Sequence, residues 1–318
     1  MKKKVVQKIF YLVWMLLLIS LISFFAIHLA PNSFLSAGEL NPNITKETLE
    51  HLKAIYGLDK PLWQQYISWL WALLHFDFGI SFASGKPVIE EIMDRIGITL
   101  GINLVSMVII FVISFSIGIV SALKEGSFID RFFKNLSLIS FSMPSFYLAL
   151  LLIIIFSVKL GWFPISGLHS LEPKTGFAYY IDLAWHLVLP IFVVVFVGFG
   201  TLAQYIRSLT QEILKSDYIF FAKARGVEQQ DIIKYYIISN LKPPIITMLG
   251  LSLPGIIGGS VILESIFSIN GMGLLFYQAA MARDYPVILG ILIITSFLTL
   301  LGNIVADLVL LRLNPYAR

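Results

Sequence analysis

Long apolar runs alternate with polar segments along the whole chain. Six of these runs reach the length of a membrane span, at residues 9–30, 96–123, 136–158, 185–206, 245–267 and 286–311. A helix of about 20 apolar residues crosses the hydrocarbon core of a bilayer. The pattern therefore predicts an all-α integral membrane protein with six transmembrane helices. Because six is even, both chain ends are predicted on the same side of the membrane.

The polar segments divide the chain into three predicted regions. Residues 1–30 hold a basic tail and a retained first helix, because the apolar part of a signal peptide is usually only about 7–15 residues long. Residues 31–95 form a loop domain with short helices. Residues 96–318 form a five-helix core that includes a polar loop over 207–244.

Two short helices are predicted within the 31–95 loop. Thr45 and Asp59 can cap helices that end near Ile55 and His75. The second helix is rich in aromatic residues, among them Trp63, Trp69 and Trp71. Such residues favour the membrane interface, so this helix is predicted to lie against the bilayer or against neighbouring spans.

The polar island after residue 216 predicts two helices that meet at a glycine. Residues 217–225 contain neither Pro nor Gly, and Gly226 can take the positive φ of a helix end. A second helix follows over 232–240 and is predicted to stop at Pro243-Pro244. This arrangement would form a knob for another protein, and an amphipathic loop lying on the bilayer is the equal alternative.

Two of the apolar runs contain residues that suit a transport path or a gate. They are Met143, Pro144 and Ser145 in the third run, and Pro254, Gly255, Gly258 and Glu264 in the fifth. Proline frees a backbone carbonyl and glycine allows close approach, so these helices can bend. Plain helix packing is the alternative reading, and for Glu264 and Asp307 a structural role near the interface is favoured.

Composition agrees with a membrane location and limits the chemistry. Hydrophobic residues make up 58% of the chain and charged residues 13%, against about 25% charged in a soluble domain. There is no cysteine and the five histidines are scattered, so neither a disulfide nor a metal site is predicted. No Gly-x-x-x-x-Gly-Lys-Ser/Thr loop occurs, so the chain is not predicted to bind ATP itself. We predict no catalytic residue, no cofactor and no nucleic-acid partner.

Basic residues predict the orientation in the membrane. With the N-terminus inside, fifteen of the 23 Lys and Arg residues fall on inner segments and eight on outer segments. Cytoplasmic loops carry such an excess of positive charge. The bias predicts cytoplasmic chain ends, a cytoplasmic 207–244 loop and an extracytoplasmic 31–95 loop.

The pattern Ala-x-Ala-x-Gly over 222–226, followed by Asn-Leu-Lys-Pro over 240–243, resembles the EAA loop of binding-protein-dependent ABC importer permeases. Similarity is greatest to the peptide/nickel permease family, in the subunit type with a long outside loop after its first span. Phe221 stands where the broader motif has an acidic residue. Pro-Asn-Ser over 31–33 likewise stands where that family usually carries an acid.

The resemblance implies a coupling helix that docks on a separate ATPase subunit. The residues assigned to that contact are Tyr218, Phe221, Ala222, Ala224, Arg225 and Gly226. It also implies a second permease subunit, two cytoplasmic ABC ATPase subunits and an extracytoplasmic substrate-binding protein as partners, with membrane lipid around them. The implied location is the bacterial cytoplasmic membrane, with the chain crossing it several times.

The cargo is left open by the residues. Within the family, a di- or oligopeptide is predicted and nickel or a nickel chelate is the alternative. An ATP-independent carrier or channel is the alternative from another class, although such a carrier is expected to place ionisable residues near the middle of the bilayer. A scaffold without a transport path is the third reading.

Overall fold

The computed structural model describes residues 2–28, 60–172, 174–256 and 259–313. Within these residues the chain is largely helical, and the extended pairing is limited to an isolated antiparallel bridge between Ile80 and Pro87. The all-α prediction is confirmed for the described part of the chain. The predicted helix at 45–55 and the Pro-Asn-Ser turn at 31–33 lie outside it.

The described helices follow in the order of the sequence. They are α1 (Lys2–His28), α2 (Leu62–Leu74), α3 (Val88–Leu123), α4 (Phe128–Ser142), α5 (Ser145–Leu152), α6 (Phe177–Leu214), α7 (Asp217–Ala224), α8 (Ile238–Ser252), α9 (Val261–Ile266), α10 (Met272–Ala282) and α11 (Tyr285–Leu313). Wider π-helical turns extend α5 over Ile153–Lys159 and precede α8 over Ile232–Ile237, and a 3₁₀ turn follows α8 over Leu253–Ile256.

Three described helices are long and apolar enough to cross a membrane. They are Val88–Leu123, Phe177–Leu214 and Tyr285–Val305. These helices coincide with the predicted runs 96–123, 185–206 and 286–311, so long apolar helices are confirmed there. The first run is also helical, but its apolar part, Phe10–Ala26, is shorter. The count of six spans stays a prediction.

Two of the predicted spans are broken at the positions where Pro and Gly predict that the helices can bend. In the run 136–158, α4 and α5 meet at an angle of 102°. Met143 precedes Pro144 and takes an extended ψ of 121°, because the proline ring disfavours a helical residue before it. In the run 245–267, α8 ends at Ser252 and α9 begins at Val261, with the Pro254 and Gly255 turn between them.

One compact unit is formed by the described residues of 1–98 and 271–301. In it, α2 lies on α1 through a hydrogen bond of 2.9 Å between the hydroxyls of Ser20 and Tyr66. The other side of α2 exposes apolar side chains, among them Trp63 and Trp71. The turn before α3 is tied to the start of α11, because the buried carboxylate of Asp284 accepts hydrogen bonds from the Ser81 hydroxyl at 2.5 Å and the Ala83 amide at 3.0 Å.

A second unit is formed by the described residues of 99–270 and 302–318, and α6 contacts several of its helices. Small residues bring these helices close together. A Cβ on Gly118 of α3 would lie 2.8 Å from the Cβ of Ile206, and one on Gly200 would lie 2.5 Å from the Ser137 carbonyl oxygen of α4. Close approach of this kind is typical of helices packed in a membrane.

Candidate functional site

The helix α7 buries one side and exposes the other. Only two residues separate it from the end of α6, its Ile219 and Ala222 side chains are buried, and Ile219 belongs to a core cluster with Ile206 and Ile237. The outward side carries Phe220 at 69% exposure and Phe221 at 59%. An exposed pair of phenylalanines on a helix of eight residues is an unusual surface for a polar segment.

The residues assigned to the ATPase contact divide between the two sides of α7. Ala222 is buried within this chain, so its small size fits internal packing. Tyr218, Phe221, Ala224 and Arg225 are exposed. Phe220 is more exposed than Tyr218 or Phe221, and it was not singled out from the sequence because the helical period alone does not say which side is buried.

Gly226 ends α7 with a φ of +76°, as the sequence predicted. The Gly226 amide donates to the Lys223 carbonyl at 3.0 Å, and the Val227 amide donates to the Ala222 carbonyl at 3.1 Å. A Cβ at this position would meet nothing within 4 Å, so the backbone conformation rather than space favours glycine here.

The second half of the island continues into α8 through both prolines. Stopping this helix at Pro243-Pro244 was wrong, because α8 runs to Ser252 with both residues inside it. Each proline removes one backbone hydrogen bond but keeps a φ that suits a helix, and the buried Leu241 anchors the segment in the core. The rings of Tyr218 and Tyr236 stack with centroids 6.4 Å apart and so join α7 to the turn before α8.

The residues predicted for a path or a gate lie at the two helix breaks. Met143, Pro144 and Ser145 form the corner between α4 and α5. Gly255 is exposed in the turn after α8, and Gly258 lies outside the described residues. The helix α9 that carries Glu264 contacts α5, so the segments after the two breaks are neighbours.

Two polar residues of α3 form hydrogen bonds with residues in and after the second break, and neither was predicted from the sequence. The Thr99 hydroxyl donates to the Glu264 carboxylate at 3.0 Å, and the Asn103 amide donates to the Ile256 carbonyl at 2.8 Å. Glu264 is buried, which agrees with a structural role for it. The partners are 165 and 153 residues apart in sequence, so no local pattern links them.

A cleft of about 340 Å³ opens beside this break, between α3, α6 and α8. Its wall is mostly apolar, with Met107, Phe111 and Met248, and its polar groups come from Asn103, Thr201 and Ser252. Gly255 lines it too. Among the described residues, no three His, Cys, Asp or Glu side chains are grouped so as to hold a metal ion.

The family described as "Binding-protein-dependent transport system inner membrane component" matches residues 114–318, and its N-terminal membrane component matches residues 1–103. Among solved structures, the MetNI methionine ABC transporter in an inward-facing conformation gives a TM-score of 0.54 at 17% identity, covering 71% of this chain and 97% of that one. At that identity the likeness concerns the fold alone.

Relatives align along nearly the full length. The oligopeptide transport system permease protein AppB of Bacillus subtilis is 36% identical over 301 residues, which cover 94% of each chain. The dipeptide transport system permease protein DppB of Escherichia coli is 32% identical over 320 aligned positions, again 94% of each chain. The chain therefore belongs to the inner membrane components of binding-protein-dependent transport systems, the permease subunits of ABC importers.

Proposed function

We propose that this chain is a permease subunit that moves di- or oligopeptides across the bacterial cytoplasmic membrane. The observation that carries the proposal is the 36% identity to an oligopeptide permease along 94% of both chains. This chain is similar both to a relative named for oligopeptides and to one named for dipeptides. The proposed cargo is therefore a peptide, without a preferred length.

The exposed side of α7 is the surface that we assign to an ATPase subunit. Phe220 and Phe221 would enter an apolar groove of that subunit, with Tyr218 and Arg225 at its edge. Two ATPase subunits, a second permease subunit and an extracytoplasmic binding protein complete the proposed importer. ATP hydrolysis is done by the ATPase subunits, not by this chain.

The packing of α7 against its own unit explains how a movement of the ATPases would reach the other helices. Buried Ile219 fixes α7 to the core that α3, α6 and α8 share, and α6 leads directly into α7. When the ATPases close, α7 would move as part of that body and α6 and α8 would tilt with it. The breaks at Met143–Ser145 and at Leu253–Ile256 are the proposed points of bending.

The arrangement in the membrane is part of the proposal. Six spans cross the membrane, the 31–95 loop faces the outside and the 207–244 loop faces the cytoplasm with both chain ends. The excess of Lys and Arg on the inner segments supports this orientation.

Reconstitution of the whole importer in proteoliposomes tests the function. We expect uptake of a labelled di- or tetrapeptide that requires ATP, both ATPases and the binding protein. Peptide uptake with the ATPases omitted would instead identify a carrier or channel. Uptake of radioactive nickel but not of peptide would overturn the cargo while leaving the permease role intact.

A further inference from the structure

A buried ion pair lies where α3, α4 and α6 come together near the start of the polar island. The Asp130 carboxylate is buried, since the residue is only 3% exposed. It accepts four hydrogen bonds, from Ser121 Oγ at 2.6 Å, Arg207 Nε at 2.7 Å, Arg207 Nη2 at 2.9 Å and the Gly126 amide at 3.0 Å. Arg207 also donates to Gln211 Oε1 at 3.0 Å.

Each partner belongs to a different element of the same unit. Ser121 is in the last turn of α3, Gly126 is in the turn that follows, and Asp130 is in the first turn of α4. Arg207 is in α6, seven residues before that helix ends at Leu214. At 1.5 Å per residue, the pair is about 10 Å along the helix from the point where α6 leads into α7.

The small-residue contacts do not by themselves fix these helices in one orientation. Gly118 against Ile206 and Gly200 against Ser137 allow close approach, but such contacts have little directionality. A guanidinium that meets a carboxylate with two hydrogen bonds fixes both distance and angle. Buried ion pairs also contribute more to a defined geometry than to net stability in some proteins.

We propose that Asp130 and Arg207 are a positioning pair that makes the inner ends of α3 and α4 move with α6 when α7 is pushed. This inference rests on the proposed function in one respect, that α7 is the contact with the ATPase. Without the pair, α6 would still be driven by ATP hydrolysis, but α3 and α4 would follow incompletely. ATP would then still be hydrolysed, but less peptide would be transported for each ATP.

The test compares Arg207→Lys and Asp130→Asn with the natural chain in the complete importer in proteoliposomes. Peptide uptake and ATP hydrolysis are measured in the same vesicles. We expect the uptake per ATP hydrolysed to fall about tenfold, while the ATPases stay bound and hydrolysis persists. Arg207→Lys keeps the charge and loses the paired hydrogen bonds, so it is the variant that keeps most of the native contacts.

Asp182→Asn is the matched control. Asp182 is also in α6 and 4% exposed, and it accepts from the Ser170 hydroxyl at 2.5 Å and from Lys174 Nζ at 3.2 Å. It lies in the first turns of α6, whereas Arg207 lies near the other end. We expect uptake per ATP to be unchanged by this substitution. An equal fall in the control, or no fall in either test variant, would overturn the proposal.

A second measurement does not depend on the cargo. The chain has no cysteine, so spin labels can be attached at Leu138→Cys on α4 and Glu212→Cys on α6 without other changes. We expect the distance between them to be the same with and without ATP in the otherwise natural chain, and to change with ATP once Arg207→Lys is added. An equal response of the distance to ATP in the labelled chains with and without Arg207→Lys would contradict the positioning role. Failure of peptide uptake by the natural importer would count only against the proposed cargo.

Discussion

At the scale of single residues, Gly226 gives the clearest prediction. Its φ of +76° is strained for a β-branched residue, by about 1–2 kcal/mol, and is tolerated by Asn. We expect Gly226→Val to reduce both co-purification of the ATPases and peptide uptake, and Gly226→Asn to stay close to the natural chain. Co-purification of the ATPases is measured on the purified importer, and peptide uptake is measured in proteoliposomes.

Gly85→Val serves as the control for Gly226. Gly85 has a similar φ of +73° and equally open surroundings, but it lies in the turn before α3. Its substitution introduces the same kind of backbone strain away from α7. A loss of ATPase co-purification in Gly85→Val as large as in Gly226→Val would refute a specific role for the end of α7.

Thr99 gives a second prediction, on stability. Thr99→Val keeps the side-chain shape but removes the hydrogen bond to the buried Glu264 carboxylate. We expect the free energy of unfolding to fall by about 1–3 kcal/mol, as is usual when a buried partner is lost. It is measured by denaturant titration in mixed micelles.

Thr247→Val provides the comparison for Thr99. The Thr247 hydroxyl donates to the Pro243 carbonyl at 2.9 Å from an exposed position within α8, so its partner is a neutral carbonyl and not a buried carboxylate. The expected change in unfolding free energy is within about 0.5 kcal/mol. An equal loss of unfolding free energy in Thr99→Val and Thr247→Val would show that the Thr99–Glu264 hydrogen bond stabilises the protein no more than the Thr247 bond does.

At the scale of elements, α2 presents an aromatic face whose partner can be tested. One side of α2 contacts α1, where the Phe24 ring lies 5.4 Å from Tyr66 and 5.6 Å from Trp69. The other side exposes Trp63, Ile67, Trp71 and Leu74. Tryptophan at this density is typical of the membrane interface, which supports the prediction that α2 lies against the bilayer.

Spin labels report the surroundings of that face. We expect labels at Trp63→Cys and Trp71→Cys to be relaxed more by oxygen, which concentrates in lipid, than by a water-soluble nickel chelate. A label at Lys86→Cys, on the polar turn before α3, should show the opposite preference. If the α2 labels resemble the Lys86→Cys label, the face is covered by water or by a soluble partner.

The broken helices show what local sequence can and cannot indicate. Pro144 and Pro254 mark both breaks, since proline removes a backbone donor and restricts the residue before it. The same reasoning failed at Pro243-Pro244, where α8 continues. Whether a proline ends a helix or merely weakens it depends on how its neighbours are packed, and the 102° angle at Pro144 has no counterpart in the local sequence.

At the scale of the whole molecule, the orientation in the membrane is the prediction on which the ATPase contact depends. In a chain without cysteine, Lys223→Cys and Lys86→Cys can each be labelled alone. We expect a membrane-impermeant maleimide to label Lys86→Cys on intact protoplasts and to label Lys223→Cys only after the cells are opened. Labelling of Lys223→Cys on intact protoplasts would place α7 outside and defeat the proposed coupling.

The sequence by itself determined the features that depend on neighbouring residues. Apolar runs long enough to span a bilayer, the small-residue pattern of 222–226 and the positive φ at Gly226 all follow from composition and spacing within a few turns of chain. The excess of basic residues on the inner segments is equally local, and it predicts the orientation.

Only the tertiary structure decided which side of α7 is buried, how the helices break and which polar groups meet. Ile219 faces inward because the core of α3, α6 and α8 lies on that side. Asp130 and Arg207 are 77 residues apart, and Thr99 and Glu264 are 165 apart. Each contact forms because packing brings distant helices together, and the period of a single helix carries no information about its neighbour.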